Sequence, residues 1–194
     1  MGSKRKDWQY PSAEWVANVE RLVMLEAKLP EFLTGKSIAA DSRDWQALFE
    51  VCGNQQRYVE AAKIFANAFT ADAKLANDMV AHHRYHAVFA AALAAAGKGK
   101  DADKIDDIER GRLRRQAIEW LRADLAHWTK QASSDKSSDR ELVLKTLRDW
   151  QRHTYLAGIR DKDVLAKLPA DEREACQKLW ADVAEVLTKS SEAK

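Results

Sequence analysis

Three imidazoles fall within five positions of the stretch "HHRYHAVFAAALAAAGKGK" (residues 82–100): His82, His83 and His86. Two histidines four apart on a helix can turn both rings toward one ion, so His82 and His86 hold the arrangement from which a zinc site begins. Zinc needs a third ligand. The glutamate of an HExxH helix is missing, and His127 or His153 serves only where folding brings it near. Two ligands underdetermine any metal. The segment therefore reads first as the start of a packed helix. A metal- or ligand-binding sensor bundle using the His82/His86 face is the alternative.

The other chemically suggestive stretches fall short on spacing. "TGKS" (34–37) looks like the end of a phosphate loop, but the first glycine of that motif falls at Pro30 and a helix precedes it where a strand is required. "DADKIDDIER" carries acids at short intervals, as a calcium loop does. It lacks the mid-loop glycine and has Arg112 where the closing glutamate belongs. "ERGRLRR" gathers four arginines among acids, the pattern of a solvated helix face. No GxSxG is present, and neither cysteine has a base beside it in sequence. The expectation is a non-catalytic chain with no cofactor.

Whatever these side chains do, helices must position them. The 194 residues are 46% hydrophobic and 32% charged with three prolines and seven glycines, and β-branched residues are sparse, which favours helix over strand. A net charge of +2 gives no global field toward nucleic acid or an anionic membrane. Cys52 and Cys176 form no CxxC or Cys/His spacing, so they read as reduced, partly buried thiols of a cytoplasmic protein. No apolar run reaches the roughly 20 residues of a membrane span, and no signal-peptide core opens the chain. Lys6 stands where a myristoylation motif has Ser or Thr.

Helical periodicity runs along the chain. Ser12 caps a first helix with Trp15, Val19, Leu22 and Val23 on one face, ended by Pro30. Trp45, Leu48, Phe49 and Cys52 line a second. After the "GNQQR" turn, Tyr58, Ala61, Ala62, Phe65, Ala68 and Phe69 line a third. One long helix is expected from Leu75 to Ala96, stopped by Gly97 as a left-handed cap. The polar "GKGKDADKIDD" connects to an amphipathic run with Leu113, Ala117, Leu121, Leu125 and Trp128 inward. A flexible linker near 132–138 closes on a capping box of Ser138 and Glu141. Leu142, Val143, Leu147 and Trp150 then form a face, and the last helix follows Pro169 with Cys176, Leu179, Trp180, Val183, Val186 and Leu187. Acid-first pairs four apart (Asp106–Arg110, Glu141–Lys145, Glu174–Lys178, Glu185–Lys189) mark solvated faces. The expected organisation is a basic tail over 1–10, one helical domain over 11–188 and a tail over 189–194.

Residues 45–73, "WQALFEVCGNQQRYVEAAKIFANAFTADA", resemble a tetratricopeptide repeat, W-x2-L-G-x2-Y followed by A-x3-F and proline. Trp45, Leu48, Tyr58, Ala61, Phe65 and Ala68 match it. Phe49, Cys52 and Ala73 replace the glycine, the tyrosine and the proline. A looser second unit starts at Tyr85, with Val88 and Ala92 on its first helix, Ala117 and Leu121 on its second, and the charged segment after Gly97 as an insertion. "KLPEFLTGK", "HRYHAVFAAALAAAGKGKDADK", "ERGRLRRQAIEWLRADLAHW", "LRDWQRHTYLAGIRD" and "LAKLPADEREACQKLWADV" together resemble a bacterial tetratricopeptide-like C-terminal region attached to large serine/threonine protein kinases. His86 stands where that family has Asn, Val88 and Phe89 where it has small residues or Cys, and His153, Thr154 and Tyr155 where it tends to acids. No kinase Gly-rich loop, HRD or DFG appears.

The resemblance implies an all-α stack of antiparallel hairpins, degenerate and tetratricopeptide-like, with flanking helices as caps. It also implies a scaffold or interaction module in signalling that binds a protein or peptide, with a kinase domain of a parent chain as one such partner. No nucleic acid or membrane is expected, and the oligomeric state is open. With Trp45 turned to the core, Arg43, Gln46, Glu50 and Asn54 face the groove between first helices. His83 and His86 join them by the same rotation.

Overall fold

The computed structural model describes residues 12–36 and 42–192, apart from the side chains of Ser42, Arg43 and Gln46. Ten α-helices occur among the described residues, and no strand. The chain is all-α, as its periodicity predicts.

Helices α1 (Ser12–Ala27) and α2 (Leu29–Leu33) come first. Only the far end of α1 reaches the core. Leu25 is buried and Leu22 partly so, whereas Trp15, Val19 and Val23, expected to point inward, are more than half exposed. Pro30 does not end a run; it sits in the first turn of α2, where its missing N–H has no partner to lose. Leu29 and Phe32 carry α2 into the core, and Asn67 Nδ2 donates to Phe32 O at 2.9 Å.

Helices α3 (Ser42–Asn54) and α4 (Tyr58–Ala71) form a hairpin. Trp45, Leu48, Cys52, Ala61, Ala62, Phe65 and Ala68 are buried as expected. The turn is a Schellman cap: Gln56 N donates to Gly53 O and Arg57 N to Cys52 O, with Gln56 in the left-handed region at φ 57.

The long helix expected from Leu75 to Ala96 is two. Helix α5 (Ala73–Asn77) stops, and α6 (His83–Ala95) starts after five intervening residues. Asp78 breaks the run: its carboxylate accepts from the amides of Val80 and Ala81, both at 3.0 Å, an alternative to the helical ladder. His82 then adopts φ 54 as the residue preceding α6. Gly97 (φ 71) ends α6 as predicted, donating to Ala94 O while Lys98 N reaches Leu93 O.

Helix α7 (Asp107–Ala132) packs along α6 to make a second hairpin, and α4 packs against α6 to join the two. Helices α8 (Ser137–Arg152) and α10 (Ala170–Glu192) pack on α7 and on each other. A 3₁₀ turn (Thr154–Ile159) that lies against α6, followed by the four-residue α9 (Lys162–Leu165), fills the connection. Helix α10 runs on through most of the segment expected as a tail. The Ser138–Glu141 capping box does not form, since Ser138 lies inside α8. The linker is tied instead by Ser134, whose Oγ donates to Asp139 Oδ2 at 2.7 Å and whose carbonyl accepts from Arg140. Val143, Leu147 and Trp150 are buried, but Leu142 is turned out.

The segment after Gly97 is more than a polar connection. Lys100 N donates to Gln56 O at 2.8 Å, and the buried Asp101 accepts from Glu60 N at 3.1 Å, so this loop caps α4 from forty-one positions away.

Candidate functional site

The residues expected to form a groove divide three ways. Glu50, His83 and His86 meet Phe49, Phe65 and Ala81 around a cleft of about 350 Å³ where α3 and α4 face the start of α6. Asn54, exposed at the end of α3, does not line it. The side chains of Arg43 and Gln46 lie outside the described residues.

Aromatic packing builds the floor. Phe49 lies 5.3 Å from Phe65 and 5.0 Å from the His86 ring, centroid to centroid, and Phe65 continues to Phe69 at 5.7 Å. Tilted contacts of this kind hold rings in fixed orientations and leave their edges for a ligand. His83 is only 3% exposed, and burial lowers its pKa against the opposing pull of Asp78. Burial also lowers the pKa of His86, reinforced by His82 and His83. Both rings are therefore neutral donors and acceptors at neutral pH. Glu50 stands exposed at the rim with no ion pair to any described residue. The cleft thus joins an aromatic floor, two neutral imidazoles and one solvated carboxylate.

Of the pair in the alternative reading, His82 precedes α6 in the left-handed conformation, and it and His86 both line a cavity between α6, α7 and α8. The remaining imidazoles are committed or distant. His153 stacks on Phe89 at 4.3 Å, and His127 is exposed on α7. Among the described residues, no group of three or more His, Cys, Asp or Glu side chains can hold a metal ion. Cys52 and Cys176 are free, buried thiols; burial raises them to about 12 and about 11 respectively.

Besides Asp101, sequence reasoning missed three buried ionic residues. Arg84 and Asp124 lie together beneath α6 and α7, and Glu172, at the start of α10, pairs with Arg114. The signal was present for one of them. Asp124 falls on the same stripe of α7 as Leu121, Leu125 and Trp128, a position where a solvated acid does not belong. No described helix is long and apolar enough to cross a membrane.

No protein-family model matches this chain, and no curated protein or solved structure matches it.

Proposed function

We propose that the chain is a non-catalytic interaction module that binds a peptide segment of a partner protein in the cleft between the α3–α4 hairpin and the start of α6. The observation that carries this reading is the convergence of Glu50, His83 and His86 on the Phe49–Phe65 floor. An apolar side chain of the peptide seats against the rings, neutral imidazoles bond its backbone, and Glu50 receives a neighbouring lysine or arginine. The α3–α4 and α6–α7 hairpins, with α4 against α6, support a degenerate tetratricopeptide-like stack whose outer helices act as caps. The sequence resemblance supplies the setting, which is cytoplasmic signalling beside a serine/threonine kinase.

The test is selection of a displayed random-peptide library on the wild-type protein, with the enriched peptides re-measured on Glu50→Lys and His86→Ala. Peptides with an apolar anchor flanked by Lys or Arg, losing about tenfold or more on Glu50→Lys, are expected, as for a charge-assisted contact. Enriched peptides that bind both variants as tightly as wild type would refute the cleft as the binding site.

A further inference from the structure

A second cavity, of about 210 Å³, opens between α6, α7 and α8. Four aromatic rings line it: Tyr85, Phe89, Trp128 and Trp150. Tyr85 stacks on Trp150 at 5.7 Å and meets Phe89 at 4.3 Å, so these walls brace one another. Asp124 lines the same cavity, and at 2% exposure it is among the most buried polar residues of the chain.

Its Oδ1 lacks a donor among the described residues. Arg84 Nε lies 3.1 Å from its Oδ1, close enough to balance its charge. Two of the Arg84 nitrogens are engaged elsewhere: Nε donates to Ala76 O at 2.9 Å, and Nη2 donates to Ala76 O and Asn77 Oδ1. Oδ1 is left buried with no hydrogen bond from any described residue. Held by α5, Arg84 cannot swing to supply one without giving up these bonds. Burial raises Asp124 to about 6 despite the arginine, as expected of a carboxylate with charge compensation but no N–H donating to its Oδ1.

A buried carboxylate oxygen without a donor, beside four aromatic side chains, is the chemistry that recognises an organic cation. A bare metal ion does not fit, since one carboxylate is its only anionic ligand here. His86 also lines the cavity, and with its pKa lowered by burial it presents no opposing charge at neutral pH. His82 lies exposed at the rim.

We infer that this cavity is a binding site for a small primary alkylammonium ion, whose N–H donates to Asp124 and whose carbon chain lies against Tyr85, Phe89, Trp128 and Trp150. The site shares only His86 with the peptide cleft, and Trp128 and Trp150, which report on it, do not line that cleft.

The experiment titrates the whole chain at neutral pH with butylammonium chloride, against sodium chloride at matched ionic strength and butan-1-ol as the neutral counterpart. Indole N–H resonances are the readout. Saturable shifts at Trp128 and Trp150, with Trp120 and Trp180 unmoved, are expected for butylammonium and absent for butan-1-ol. Asp124→Asn should weaken binding by about tenfold or more, the loss expected for a hydrogen bond to a charged acceptor. Because that change also touches Arg84, Thr146→Leu on α8 serves as a second variant. It narrows the cavity without altering charge and should abolish the shifts in a folded protein. Equal binding of butan-1-ol, shifts of the same size at Trp120 and Trp180, or unchanged affinity in folded Thr146→Leu would each overturn the assignment.

Discussion

Gly111 lies inside α7, where alanine in place of glycine ordinarily adds about 0.5–1 kcal/mol by reducing the freedom of the unfolded chain. Here the sign should reverse. A Cβ at this position would stand 2.5 Å from Oε1 of Glu172. A carboxylate at the end of a side chain can usually withdraw, but this one is held. Glu172 is 7% exposed in the first turn of α10; its Oε2 accepts from Arg114 Nε, and Arg115 Nη1 stands 3.6 Å from Oε1. Breaking a buried pair outright costs about 3–5 kcal/mol. Displacement with the half-exposed Arg115 still near is milder, so Gly111→Ala should destabilise by a net of roughly 1–3 kcal/mol. For a chain of this size that lowers Tm by about 2–4 °C per kcal/mol. The assay is urea unfolding of wild type, Gly111→Ala, Glu172→Ala and the double variant. In the Glu172→Ala background the obstacle is gone and Gly111→Ala should stabilise, so the two changes must be strongly non-additive. If Gly111→Ala raised stability in the wild-type background, or acted equally in both, the α7–α10 contact would be looser than described and the reasoning wrong.

Gln56→Gly should stabilise by up to about 1 kcal/mol, because Gln56 holds a left-handed φ of 57 that glycine adopts without Cβ strain; denaturant midpoints check it. Asp124 contributes a pH dependence of definite sign. Its folded pKa of about 6 lies above its ordinary 3.8, so stability is greatest below about pH 4 and falls as pH rises through 6, by on the order of 3 kcal/mol. The stability difference between wild type and Asp124→Asn should trace that fall and be flat above it; a difference independent of pH between 4 and 7 refutes it. Both thiols, with pKa values raised by burial, should resist an aromatic disulfide reagent in the native protein at neutral pH and react after denaturation.

Periodicity makes most of the helices legible because each apolar face is continuous. The α3, α4, α7 and α10 stripes all lie where their spacing places them, and Gly97 stops α6 as a glycine should. Misreadings arise where a local rule competes with a tertiary one. Apolar spacing in α1 says nothing about how far the helix overhangs its support, so Trp15, Val19 and Val23 end outside. The 75–96 pattern is helical in period, but a single Asp78 carboxylate capturing two amides outweighs it. Of the site, Glu50, His83 and His86 follow from rotation about two helices. The Asp124 cavity does not, because it depends on α8 arriving beside α6 and on the directions of Arg84's hydrogens, neither of which is written in a spacing.

The loop from Gly97 to Asp101 reads along the chain as an insertion that a repeat could lose. Its hydrogen bonds to Gln56 and Glu60 make it a clasp. Gly99 (φ 98) has no room for a side chain, since a Cβ there would stand 2.6 Å from Gln56 O. The first hairpin therefore depends for one end of its second helix on residues synthesised some forty positions later. Cut free at Gly97, it would expose the start of α4 and lose cooperativity with the α6–α7 hairpin. Amide exchange at Glu60 should thus report the opening of a loop belonging to the other hairpin, and the two hairpins should melt as one unit.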